Sequence, residues 1–499
     1  MELDTYLKWD ATEMAQQIRA KQVTSAELLS CSFEQLKKVN PRLNAVVHER
    51  MEKALDEAHH IAVDHQGPFA GVPLLLKNIS QALEGELLTS GSRLLEQSKA
   101  SRDSNFVKRL RTAGFVFMGH TNAPEFGLKN ITEPRLYGPS RNPWDPAFSP
   151  GGSSGGTAAA IASGIVPLAG ASDGGGSIRI PASFTSLFGL KPTRGRTPVG
   201  PGAGRQWQGA SIDFALSRSV RDSAAMLDVL QVIQPEAAFQ TPLFAESYKA
   251  AMEKPFKQKL RIAFSTVSPV GTPVSADARE AVMKTVNWLE SQGHIVEEKE
   301  NGVDGHQLMR NYFLMNSGEM ASLVQDLQQA FGRPLTAEDM EIESWLLNRA
   351  GEAVNAAAFS ASLASWDTAA AQMAALHQAY DFYITPATAY PAPAIGELTF
   401  DTYAQLQLKE KMEQAPASQK QEIIWEMFLP SLTYTPFTQL ANLTGQPAMS
   451  LPVHRCDNGL PLGVQVMTGK GKEHKLLQLA YQLEQTDLWV GMNGNHYFA

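Results

Sequence analysis

The chain has 499 residues, with 38 glycines and 29 prolines, ordinary globular usage that excludes collagen-like and low-complexity classes. Hydrophobic residues at 43% against charged residues at 19% supply a large dry core and exclude a disordered chain. Against 51 acidic residues stand 43 basic ones, net −8, and no Lys/Arg block marks a nucleic-acid footprint.

The N-terminus carries acids where a signal peptide carries bases, and no apolar h-region follows. Asp10-x-x-Glu13 and Thr24-x-x-Glu27 read as capping boxes. After the second, Leu28, Leu29, Phe33, Leu36 and Val39 recur at helical spacing, and Pro41 is expected to close that helix. A further helix is expected from Ala45 to His65, so residues 1–70 read as N-terminal helices. From Gly71 the texture changes. Gly-Val-Pro-Leu-Leu-Leu-Lys-Asn (71–78) reads as a short buried strand ending in a lysine. A helix follows at Asn105–Thr112, then a strand at 115–118, and glycine- and serine-rich loops alternate with small-residue segments from Pro150 to Arg196. Later strands are expected at 261–265, 295–296, 382–385, 448–451 and 463–467, with helices between. That alternation argues for an α/β fold with a mixed sheet.

The most lipid-like stretch, Thr157 to Ala171, is broken by Pro167 and falls below the roughly 18 apolar residues of a spanning helix. Cys31 and Cys456 cannot build a disulfide framework. A cytoplasmic protein without a membrane partner is the expectation. Residues of about 305–430, helical and rich in Ala, Gln, Met and Trp, read as a cap over a site, and 71–230 as the core beneath it. No linker cuts the chain, so one domain over 1–499 is expected.

Several segments carry chemistry. The loop Gly151–Gly156, Gly-Gly-Ser-Ser-Gly-Gly, reads three ways: a phosphate cradle, a flexible loop, or backbone passing close to a reacting centre. By itself it does not decide. Three glycines before Ser177, in Asp173-Gly-Gly-Gly-Ser-Ile-Arg179, let backbone N–H groups converge as an anion nest or oxyanion hole; the plain alternative is a tight turn. Lys77 either snorkels to solvent or, buried, loses its proton and serves as a general base. Desolvation, with nearby positive potential adding to it, is the expected cause. His59, His60 and His65 cluster near Asp64; a metal site there is weighed against a solvated helix end, and the helix end is preferred. No H-E-x-x-H or Cys-x-x-Cys occurs.

Gly151–Ala182 as a whole, with its glycine/serine loop, small-residue helix and Asp-x-Gly-x-Ser-Ile-Arg-x-Pro turn, resembles the signature of the amidase signature enzymes. The blocks at 71–78, 119–127, 138–146, 189–196 and 217–228, and the C-terminal Leu-Thr-Gly-Gln-Pro-Ala-Met-Ser-Leu-Pro, agree in order and spacing. Segments 132–146 and 177–202 are most similar to the branch containing the 6-aminohexanoate-cyclic-dimer hydrolases. Gly174 departs from the family, where many members carry a bulkier residue.

The resemblance implies a single large α/β domain, a central mixed twisted sheet with helices on both faces, and a Ser–Ser–Lys triad without metal or cofactor. Ser177 would be the nucleophile, Ser153 the proton relay and Lys77 the base. The peptide Gly152–Ser153 would be cis, and N–H groups of Gly174, Gly175, Gly176 and Ser177 would hold the oxyanion. Gly127 and Asn316 would contact substrate. An amidase acting on a small-molecule amide is the expectation, a cyclic or linear amide of an ω-amino acid being one class, with a homodimer as a possible assembly. Met315, Trp345, Trp425 and Tyr434 are expected near the substrate with Asn316. Two rivals stay open: the glutaminase subunit of a tRNA-dependent amidotransferase, and a non-catalytic anion-binding module.

Overall fold

A computed structural model of the chain describes residues 1–61 and 67–498. Its strands among the described residues are β1 (Val46–Glu49), β2 (Pro73–Lys77), β3 (Val116–Thr121), β4 (Leu168–Asp173), β5 (Phe188–Lys191), β6 (Ile212–Ser217), β7 (Arg261–Phe264), β8 (Ile295–Glu298), β9 (Phe382–Pro386), β10 (Ala448–Arg455) and β11 (Pro461–Met467). They form one 11-stranded sheet in the order β1-β3-β2-β4-β6-β5-β10-β11-β9-β7-β8. Pairing is parallel for β2 with β3 and β4 and for β7 with β8 and β9; the remaining pairs are antiparallel. The sheet is mixed and flanked by helices, as the alternation of elements requires. All five residues of β2 are buried, which fits a strand inside a parallel layer and explains its uninterrupted Leu74-Leu75-Leu76 run.

Two expectations in the first 70 residues are corrected. The helix Ser25–Leu43 runs through Pro41 and ends where Asn44 turns left-handed at φ 47°. Asn40 completes the exit, its Oδ1 accepting from the N–H groups of Ala45 and Val46. The chain then forms not a helix from Ala45 but the edge strand β1, paired with β3, and the next helix spans only Met51–His60. The remainder of the expected helix, including Asp64 and His65, lies outside the described residues. Thr24 and Glu27 form a full capping box. Asp10 caps Glu13, but the Glu13 carboxylate accepts from Gln17 instead of reaching back.

The apolar stretch at 157–171 divides into the end of the buried helix Gly155–Ala162 and most of β4. No helix among the described residues is long and apolar enough to cross a membrane. Cys31 and Cys456 are free and buried. The helices Gly305–Phe331, Ile342–Gly351, Ala356–Ala379, Thr402–Gln414 and Lys420–Tyr434 occupy the cap region, with β9 joining the central sheet from within it.

Candidate active site

Parallel pairing of β2 with β4 sets their carboxyl ends side by side, where ligand crevices of such sheets form. Lys77 ends β2, and Ser172 and Asp173 end β4. The Lys77 amine lies 2.7 Å from Ser153 Oγ and 2.8 Å from Ser172 Oγ, fully buried. Burial pushes its pKa down to about 7, and the Asp213 and Asp173 carboxylates oppose that shift. The expected positive potential is therefore replaced by negative neighbours, and desolvation alone frees the amine of its proton. Asp213 enters from β6, where it pairs in register with Ser172, and it accepts from Ser80 Oγ at 2.6 Å and Gln206 Nε2 at 2.8 Å.

The glycine/serine loop is buried along its length, which removes the flexible-loop reading. Three of its N–H groups donate inside the protein, Gly151 to Ser149 Oγ, Gly155 to Thr132 Oγ1 and Gly156 to Asn122 O, which counts against a phosphate cradle. A Cβ on Gly152 would meet the Ile131 backbone at 2.6 Å, and one on Gly156 the Asn122 nitrogen at 2.4 Å. Those glycines exist for close approach. The Gly152–Ser153 peptide is cis.

The turn Gly174–Ser177 hangs on a buried ion pair. Asp173 meets Arg179 in two parallel contacts of 3.0 Å, and accepts from Asn442 Nδ2 at 2.8 Å and from Ile178 N at 3.2 Å. These partners hold its pKa down at about 2 against full burial. Arg179 is anchored in turn by Thr438 O, Gln465 Oε1 and Asn442 Oδ1. The Gly176 N–H donates to Asp173 at 2.7 Å, so it is committed to holding the turn. Of the four N–H groups expected to hold an oxyanion, that of Gly176 is thus the one tied to its own turn. A Cβ on Gly175 would sit 2.8 Å from Tyr312 Oη, whereas Gly174 has ordinary contact room at 3.4 Å. The departure at Gly174 is thus spatially unforced; Gly176, at φ +127° with a Cβ that would sit 2.2 Å from Thr438 Oγ1, is the position that most needs glycine, followed by Gly175.

Ser153, Ser172, Gly174, Gly175 and Ser177 line one cavity of about 410 Å³, with Gly127 and Asn316 also in its wall. Gly127 has φ +74°, and a Cβ there would meet Ser153 Oγ at 3.3 Å. Asn316 Oδ1 accepts from Trp207 Nε1 at 2.6 Å. Met315, Trp345, Trp425 and Tyr434 do not line the cavity. Met315 points into a separate core, Trp345 and Trp425 pack within the cap, and Tyr434 bonds Glu397. The apolar wall is instead Phe126, Met309, Phe313, Leu323, Phe428 and Leu432. Helical periodicity in the cap does not say which stripe faces down. Ser172 and Asp213 were also missed, because strand register rather than any motif brings them to the lysine. Of the histidine cluster, Asp64 and His65 lie outside the described residues, and His60 is exposed beside Asp56.

Residues 27–477 match the family described as Amidase. A lipoamidase of Enterococcus faecalis is 41% identical over 482 residues, covering 96% of this chain but 63% of that protein's length. The 6-aminohexanoate-cyclic-dimer hydrolase of Paenarthrobacter ureafaciens is 35% identical over 489 residues, 96% of this chain and 95% of that protein. A solved structure of 6-aminohexanoate cyclic dimer hydrolase complexed with substrate superposes with TM-score 0.89 at 33% identity, covering 99% of this chain and 100% of that one.

Proposed function

Because the chain belongs to the amidase family of C–N hydrolases, we propose that it cleaves a carboxamide through an acyl-enzyme on Ser177, with Ser153 and Lys77 moving the proton. The observation that carries this reading is the buried Lys77 amine, pKa about 7, at 2.7 Å from Ser153 Oγ in the wall that Ser153 shares with Ser177. The neutral amine takes the Ser153 hydroxyl proton as Ser153 takes that of Ser177, and Ser177 Oγ attacks the carbonyl carbon. The carbonyl π pair moves to oxygen, which the free N–H groups of Gly174, Gly175 and Ser177 receive; each donor of this kind is worth roughly 3 kcal/mol. Collapse breaks the C–N bond while the Lys77 proton returns through Ser153 to the departing nitrogen. Water then repeats the sequence on the ester, releasing the acid and restoring Ser177.

The apolar wall supports an uncharged amide with a flexible methylene chain, and Gly127 and Asn316 border it. The names of the two relatives point the same way, and a cyclic or linear ω-amino-acid amide belongs to that class. Buried free thiols support a reducing, cytoplasmic setting. A serine-directed phosphonate is expected to label the wild-type chain once and Ser177→Ala not at all, with turnover abolished in the variant. Labelling unchanged in Ser177→Ala, or glutamine as the preferred substrate over apolar amides in a mass-spectrometric panel, refutes the assignment.

A further inference from the structure

Outside the cavity wall, β10 runs out beside the first turn of the helix Ala276–Ser291. His454 and Cys456 are buried there, at 4% and 6% exposure, and Asp277 faces them from the helix. One ligand atom from each lies within 4.8 Å of the others. His454 Nε2 stands 3.6 Å from Asp277 Oδ1 and has no hydrogen-bond partner. Buried imidazole nitrogens are ordinarily satisfied, so this one faces the carboxylate with its bonding capacity unspent.

We propose that Asp277, His454 and Cys456 bind one divalent transition-metal ion, zinc fitting best. A tetrahedral zinc ion with nitrogen, oxygen and sulfur ligands holds those atoms about 3.3–3.6 Å apart, so the His–Asp spacing already suits it and small shifts close the rest. A thiol beside an imidazole selects zinc or its neighbours over calcium and magnesium. Asp277 is the half-exposed member, which gives the ion a route in and a water the fourth position. On binding, the Cys456 thiol loses its proton to solvent as the S–metal bond forms. Lys284 Nζ lies 3.4 Å from His454 Nδ1 and is already paired with Glu280 at 2.7 Å. With metal on Nε2, Nδ1 carries the ring proton, and Lys284 stays with Glu280. The ion ties the β10–β11 turn to the helix and takes no part in hydrolysis.

Cobalt(II) added to the chelator-treated full chain tests this. One equivalent is expected to bind with a thiolate-to-cobalt charge-transfer band and tetrahedral visible bands, displaced by zinc. Cys31→Ser keeps the band and Cys456→Ser loses it. His454→Gln weakens binding by more than the roughly 10–100-fold that loss of a mere supporting partner costs. Stoichiometric zinc raises the wild-type Tm. Should Cys456→Ser not fold, retention of the band in Cys31→Ser supports the site and its loss there overturns it. No bound cobalt, a spectrum without thiolate character, or a band that survives Cys456→Ser overturns it as well.

Discussion

Burying an ammonium is costly, and the chain places Lys77 where nothing offsets that cost fully. Asp213 is itself pushed up by burial, and Asp173 is spent on Arg179. The amine resolves the conflict by giving up its proton near pH 7, and a neutral amine is what a base must be. Activity should therefore rise with pH through about 7, where a lysine in water would stay charged to above 10. The stability sign follows. Between about 7 and 10.5 the unfolded chain holds a proton that the folded chain lacks, so folding gains as pH rises across that window. Lys77→Met should lower kcat by about 10²–10⁴-fold and abolish that stability slope while keeping the fold. A pH series of turnover and of Tm reads both, and wild-type turnover in the variant removes Lys77 from the chemistry. Lys77, Ser153 and Ser177 could be singled out as candidates because each sits in a contiguous motif. Ser172 was not, because only the parallel register of β2 and β4 puts its hydroxyl 2.8 Å from the amine.

At the next scale, the turn Gly174–Ser177 is a short element whose shape comes from outside itself. Glycines give it freedom, Gly176 sitting at φ +127°, and the Asp173–Arg179 pair takes that freedom away. Arg179 reaches two further backbone or side-chain anchors near residues 438–442, so the C-terminal part of the chain fixes the turn that carries Ser177. Removing one member of a buried pair leaves the other uncompensated, at about 3–5 kcal/mol. Arg179→Met should cost that much in urea unfolding and depress turnover, since Asp173 can no longer hold the Gly176 N–H in place. Unchanged stability would mean that the pair does not brace the turn. Local signals named β2, β3 and β7 to β11 and the Thr24-x-x-Glu27 cap, which act at short range, but not β4, β5 or β6, whose small-residue or short segments become strands only by pairing in the sheet. They failed at Pro41 and at 45–49. A proline near a helix end was outvoted by Asn44, which supplies the left-handed exit, and β1 is a strand only because β3 offers it an edge.

At the scale of the molecule, the cap is seated on the core through buried charge. Glu125, from the loop that also brings Phe126 and Gly127 to the cavity, accepts from Ser344 Oγ at 2.6 Å and from Glu341 N at 2.7 Å. Lys129 answers with Glu343 at 3.0 Å and Glu341 at 4.0 Å. Composition marked this region as helical, but not this seam, because its members are about 200 residues apart and carry no motif. Three carboxyl groups face one ammonium there. Burial and the neighbouring Glu125 push Glu341 up to about 7, although Lys129 pulls it down. A carboxyl raised from about 4.5 to about 7 favours the folded state while protonated, so its contribution is whole below pH 4.5 and is lost as pH climbs to about 7. The size is on the order of 3 kcal/mol. Glu341→Gln keeps an oxygen for the Arg135 N–H that now donates to Glu341 at 2.7 Å, and never ionises. Its Tm should match the wild type near pH 4.5 and exceed it by several degrees at pH 8. If the two Tm curves run parallel across that range, Glu341 does not carry the pH sensitivity of the seam.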